Sequence, residues 1–130
     1  MEAYKELEAI FRKADLLGQA MAILSWDTAA MMPSGGAESR EDQEATLSVI
    51  HHEMMTHPKV GELIEKAKSE GLNDWQQVNL KDMEKSFVTS TAISTELVEA
   101  LSKACSNCEM AWRTARKEND FKGLLPRLQK

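Results

Sequence analysis

Apolar residues along this chain recur at intervals of three and four and almost nowhere in strict alternation. From Leu7 they run through Ile10, Phe11, Ala14, Leu17, Gly18, Met21 and Leu24, the spacing that lines one face of an α-helix. The pattern predicts a first helix from about Glu2 to Ala30. Pro33 with Gly35 and Gly36 stops it, because proline cannot continue the helical hydrogen-bond ladder and glycine favours a turn. A second helix, from about Ala37, carries Gln43, Leu47, Ile50 and Met54 on one side. The step His57-Pro58 breaks it and opens a third, with Val60, Leu63, Ile64 and Ala67 turned inward as far as Gly71. Asn73 or Asp74 caps a fourth, with Trp75, Val78, Met83 and Phe87 as its apolar set. Ser94 or Thr95 caps a fifth, which passes through Leu97, Leu101, Cys105, Cys108 and Trp112 to about Lys117. Asn119 caps a last segment, where Phe121, Leu124, Leu125 and Leu128 begin an apolar face and Pro126 suits a first turn. The expected fold is all-α: an antiparallel helical assembly with a long first helix and about five to six helices. No internal repeat or flexible linker interrupts it.

Composition narrows the setting. The chain has 130 residues, with 16 basic and 21 acidic side chains and a net charge of −5, and the two signs are interspersed. Phosphate binding needs a concentrated basic face, so nucleic acid is not an expected partner. No apolar run reaches the roughly 18 residues of a membrane span, and the opening Met-Glu-Ala-Tyr-Lys-Glu-Leu-Glu lacks the basic and apolar segments of a secretion signal. A cytoplasmic protein without a membrane partner is expected, and two cysteines beside eight methionines agree with a reducing compartment. A first helix of this length measures about 42 Å at about 1.5 Å per residue, whereas a compact domain of this size has a radius of gyration near about 14 Å. Residues 1–130 are therefore expected to be a single helical segment of a larger protein. The alternative is a small helical protein whose last helix frays.

Three groups of residues invite a chemical reading. In His51-His52-Glu53-Met54-Met55-Thr56-His57 the histidines His52 and His57 are five apart, about 140° around a helix, so they cannot share a zinc as the pair in His-Glu-x-x-His does. They read as polar residues at a helix end, with His57 near the terminal carbonyls. Cys105 and Cys108 lie mid-helix without a second pair, and read as small core residues rather than a redox or zinc motif. Trp26 and Asp27 precede the Met31-Met32-Pro33 turn, with Trp26 as a packing anchor and Asp27 bonding nearby backbone, or with both meeting a ligand. Arg40 is either a clamp for a substrate carboxylate or an internal partner of Asp27 or Glu44. Trp112 with Arg113 and Arg116 has the same two readings. There is no nucleophile paired with a base and no phosphate-binding glycine loop.

The run Leu24-Ser-Trp-Asp-Thr-Ala-Ala-Met-Met-Pro-Ser-Gly-Gly-Ala-Glu-Ser-Arg40 resembles the amino-terminal region of the carboxypeptidase Taq family of metallocarboxypeptidases. Further along, Cys108-Glu-Met-Ala-Trp-Arg113, Asn119-Asp-Phe121 and Leu125-Pro126 resemble the same family in the same order. The resemblance implies a helical, dimeric cytosolic enzyme that removes carboxy-terminal residues from peptide substrates with zinc or cobalt. It also implies that the metal ligands and the catalytic Glu come from a His-Glu-x-x-His helix and a later Glu beyond this stretch. No catalytic or metal residue is carried over to any position here. Trp26, Asp27 and Arg40 are the substrate-groove candidates, in helices understood to form a wall or lid over the metal. The polypeptide alone is expected to be inactive and without a cofactor of its own, and to pair as a homodimer through apolar faces at its last segment and first helix. The rival readings are a non-enzymatic helical interaction module and a bundle that binds metal through His and Glu.

Overall fold

A computed structural model describes residues 1–129. Among them are six α-helices: α1 (Glu2–Ala30), α2 (Ala37–Thr56), α3 (Pro58–Lys68), α4 (Asp74–Thr91), α5 (Thr95–Glu118) and α6 (Phe121–Leu128), with a 3-10 turn at Ser34–Gly36 between the first two. The all-α architecture with a long first helix is therefore the one the periodicity implies. α2 lies between α1 and α5, α3 packs on α1 and α4, and α6 folds back on α5.

Side chains and turn chemistry set the helix boundaries. Asp27 O accepts from the N–H groups of Met31 and Met32 at 2.9 and 2.8 Å, closing α1, and extended Pro33 follows. His57 ends α2 and caps α3, its Nδ1 accepting from the Lys59 N–H at 3.2 Å with Pro58 in the first turn. It serves the amino terminus of the new helix rather than the carbonyls of the old one. Asn73 and Gln76 exchange side-chain and backbone hydrogen bonds as a capping box at α4, and Ser94 caps α5.

Asn119 departs from its expected role. With φ 55° it occupies the left-handed region at the end of α5, and the Asp120 N–H donates to Ala115 O at 2.8 Å, the closure in which asparagine substitutes for glycine. Asp120 caps α6 instead, accepting from the Gly123 N–H at 2.9 Å. Pro126 sits inside α6 and not in its first turn, since the helix already starts at Phe121.

The core occupies one end of the molecule. Ala3, Tyr4 and Leu7 of α1 meet Val60, Leu63, Ile64 and Ala67 of α3 and Leu80 and Met83 of α4, with Ile10, Phe11, Leu72 and Phe87 around them. α3 buries the face read from the sequence, and α1 turns its face inward with Leu7 and Ala14 buried and the other positions half-buried. Three other helices do not. α2 buries Ala45, His52 and Met55, while Gln43 and Ile50 are exposed; several partly apolar stripes compete on this helix, and the one facing α1 and α5 wins. On α4, Trp75 and Val78 point to solvent and Leu80 and Met83 inward, because the expected set mixes positions from two faces. None of α5's residues is buried: Leu97 and Leu101 are exposed, Cys105 is exposed and Cys108 half-buried. The cysteines are thus not core residues, because α5 meets α2 through the opposite, polar side.

Candidate functional site

The carboxy-terminal end of α1 and the start of α2 hold the three candidate residues, and here polar chemistry replaces the apolar core. Arg40, on the first turns of α2, reaches back across the turn to α1. Its Nη2 donates to Asp27 Oδ2 at 2.7 Å, Nη1 to Leu24 O at 3.0 Å and Thr28 Oγ1 at 2.9 Å, and Nε to Gln43 Oε1 at 3.2 Å. The guanidinium is mostly buried, the Asp27 carboxylate about one-third exposed. Of five N–H donors, four hydrogen bonds are already made inside the chain. No edge of paired N–H groups is left to grip an external carboxylate, so the arrangement braces the two helices.

The network continues into α5. Buried Thr28 also lies 3.1 Å from Glu44 Oε1, and Glu44 Oε2 accepts from Ser106 Oγ at 3.2 Å. One turn before Glu44, Glu41 accepts from Asn107 Nδ2 at 3.0 Å. Carboxylates of α2 thus take their donors from the polar side of α5, which explains why that side faces inward. Sequence reasoning named Glu44 only as an alternative partner of Arg40 and missed Thr28 and Ser106. A signal existed for Thr28: it continues the stripe of Met21 and Leu24 at the next helical position, where a polar residue must find a partner.

Trp26 stands apart. It lies two residues before Thr28 and two after Leu24, hence on the other side of α1, and is 62% exposed. The structure therefore brings Asp27 and Arg40 together and leaves Trp26 outside, without the packing role that one reading gave it. An open cleft of about 820 Å³ flanks the brace, lined by Leu24, Gly35, Glu38, Ser39, Gln43 and Leu47 among others.

The histidine string assembles no metal centre. His52 is buried, His57 is committed to capping α3, and among the described residues no group of three or more His, Cys, Asp or Glu side chains converges to hold a metal ion. Nor is any described helix long and apolar enough to cross a membrane.

Comparison with known proteins places this geometry. The model of the carboxypeptidase Taq (M32) metallopeptidase family matches residues 6–130. Thermostable carboxypeptidase 1 of Pyrococcus furiosus is 32% identical over 130 residues, covering 99% of this chain and 26% of its own length. The Thermus thermophilus protein of the same name is 32% identical over 133 residues, with 98% and 26% covered. Among solved structures, Trypanosoma cruzi metallocarboxypeptidase 1 superposes with a TM-score of 0.77 at 34% identity, over 98% of this chain and 26% of that one. The carboxypeptidase of Deinococcus radiodurans gives 0.77 at 28% identity, with 99% and 26% covered. The chain thus spans about a quarter of the length of these relatives.

Proposed function

This chain belongs to the carboxypeptidase Taq (M32) metallopeptidase family, and on that premise we propose that it is the amino-terminal helical wall, or lid, of a metal-dependent carboxypeptidase. The complete enzyme would remove carboxy-terminal amino acids from peptides. The observation that carries the reading is the match of sequence and fold along nearly all of this chain to about a quarter of such relatives. The residues described here offer no ligand set that fits a zinc or cobalt ion; other parts of the complete enzyme would hold the metal, and no chemical step is assigned to this portion.

Within the wall the three candidates divide by what they touch. Asp27 and Arg40 are positioning residues, fixing the end of α1 against α2. Trp26, exposed on the opposite side, is the one free to contact a peptide. Confinement of the peptide is the contribution such a wall makes.

Two measurements test this. The polypeptide alone, incubated with carbobenzoxy-dipeptides and added cobalt, should release no terminal amino acid; release by a preparation free of contaminating enzyme would overturn the assignment. Exchanged for the corresponding quarter of the Pyrococcus furiosus relative, the chain should support cobalt-dependent activity, and Trp26→Ala in that setting should raise KM more than it lowers kcat. A folded but inactive exchange protein would count against the wall.

A further inference from the structure

Going beyond the enzymatic reading and independent of it, we propose that Cys105 and Cys108 form a dithiolate site for a soft monovalent cation, Cu(I), carried on α5. Both thiols are free, and they stand three residues apart in the middle of a helix that runs unbroken from Thr95 to Glu118. At that spacing side chains share one side of a helix, with Cβ atoms about 5–6 Å apart. Both donors come from one helix, so the pair is complete within this chain whatever else packs on the same side. Cys105 is exposed and Cys108 half-buried, which leaves the pair open to an ion.

Geometry selects among the things two thiols can do. A relaxed disulfide needs Cβ atoms about 3.5–4.5 Å apart, closer than an intact helix holds this pair. Nor does the pair lie at a helix amino terminus, where the dipole activates a redox dithiol. An ion between the sulfurs relaxes the demand: metal–thiolate bonds of about 2.3 Å on opposite sides set the sulfurs about 4.6 Å apart, a span that side chains at this spacing reach from staggered rotamers. The number of donors then selects the ion. Zinc takes four ligands in a closed site, and among the described residues no third His, Cys, Asp or Glu joins the pair. Thiolates favour soft ions, and Cu(I), with its filled d shell, is satisfied by two sulfurs in line.

The surroundings leave the thiols uncommitted and the helix fixed. Neighbouring charges on α5 are already paired, Lys103 with Glu99 at 2.9 Å and Arg113 with Glu109 at 2.7 Å. Toward α2, Ser106 and Asn107 bind Glu44 and Glu41, which holds in place the element that carries both donors. Leu101, four residues before Cys105, and Trp112, four after Cys108, flank the pair with apolar surface and put an indole within one turn of the ion. On binding, each S–H gives its proton to solvent and two S–Cu bonds form; copper enters and stays as Cu(I), so no electron moves.

The test is an anaerobic titration of the reduced 130-residue chain with Cu(I) in competition with bicinchoninate. One ion should bind per chain, with sulfur-to-copper absorption in the ultraviolet and quenching of Trp112 fluorescence. Cys105→Ser and Cys108→Ser, both outside the core, should keep the helical circular-dichroism signal, and each should weaken binding by more than the roughly 10–100-fold lost with an outer partner of a metal site. Met110→Leu should leave the affinity unchanged. In the unaltered chain the ion should protect both thiols from N-ethylmaleimide together. Undiminished binding by the Cys105→Ser/Cys108→Ser double variant would assign the copper to methionine or histidine side chains and overturn the proposal. So would protection of one thiol alone, or one ion per two chains, which would place the copper between copies.

Discussion

At the scale of single residues, the most consequential side chain is Arg40, because it does in one place what apolar packing does elsewhere. It ties Asp27, Leu24, Thr28 and Gln43 together with hydrogen bonds of 2.7–3.2 Å, and removing the guanidinium strands groups that are partly or wholly out of water. Arg40→Leu should therefore destabilise the fold by roughly 1–3 kcal/mol, the cost of leaving such partners unpaired. Arg40→Lys should recover little, since one ammonium cannot reach four acceptors around a plane. Urea unfolding decides this: equal midpoints for wild type and Arg40→Leu would mean the brace holds nothing. The pairing with Asp27 was legible as one of two alternatives, because both residues flank the same turn. Thr28 and Ser106 were not, because their roles depend on which faces of α1, α2 and α5 meet. The cysteines show the same limit: a stripe of apolar spacing says that a helix has an apolar side, not that this side is covered.

At the scale of elements, helix ends were readable and helix faces only partly so. Pro33, His57-Pro58, Asn73 and Ser94 end or begin helices where local chemistry requires it, whereas the buried faces of α2, α4 and α5 follow from tertiary competition among stripes. The start of α1 shows an end that local sequence does not supply. No side chain of its own caps it. Glu70, beyond α3, reaches over instead, accepting from the N–H groups of Ala3 at 3.0 Å and Tyr4 at 3.1 Å and pairing with the Met1 ammonium at 3.0 Å. Burial pushes the Glu70 carboxyl up, but the Tyr4 N–H, the Met1 ammonium and the Ala3 N–H outweigh it and hold the group below its ordinary 4.5. A depressed carboxyl contributes stability that is present above its unfolded value and is lost as pH falls through the folded one. Glu70→Gln should accordingly be less stable than wild type at about pH 7, with the gap closing as pH falls below 4.5. Parallel acid-unfolding curves for the two proteins would refute the cap.

At the scale of the whole molecule, cohesion is unevenly distributed. One end is a conventional core of α1, α3 and α4, with Tyr4, Leu7, Val60 and Ile64 at 2% exposure or less. The other is a polar contact of α2 with α5, from which α6 hangs by Leu124. The family and the all-helical architecture were legible because the motif around the first turn and the three-and-four periodicity are both local in sequence. This asymmetry was not, because it depends on which side α5 presents to α2. Its energetic consequence is specific. Leu7→Ala, which empties a fully enclosed site, should cost about 2–5 kcal/mol and lower the unfolding midpoint of every helix. Leu101→Ala, the same change on the open face of α5, should stay within about 0.5 kcal/mol. Hydrogen exchange then maps the difference. Amides of α3 and the first half of α1 should exchange only with global opening, while those of α5 and α6 should open at lower free energy, since few buried apolar contacts hold them. Equal protection across α3 and α5 would mean that the polar contact alone holds α5 as firmly as the core holds α3, against the weak net worth of exposed hydrogen bonds.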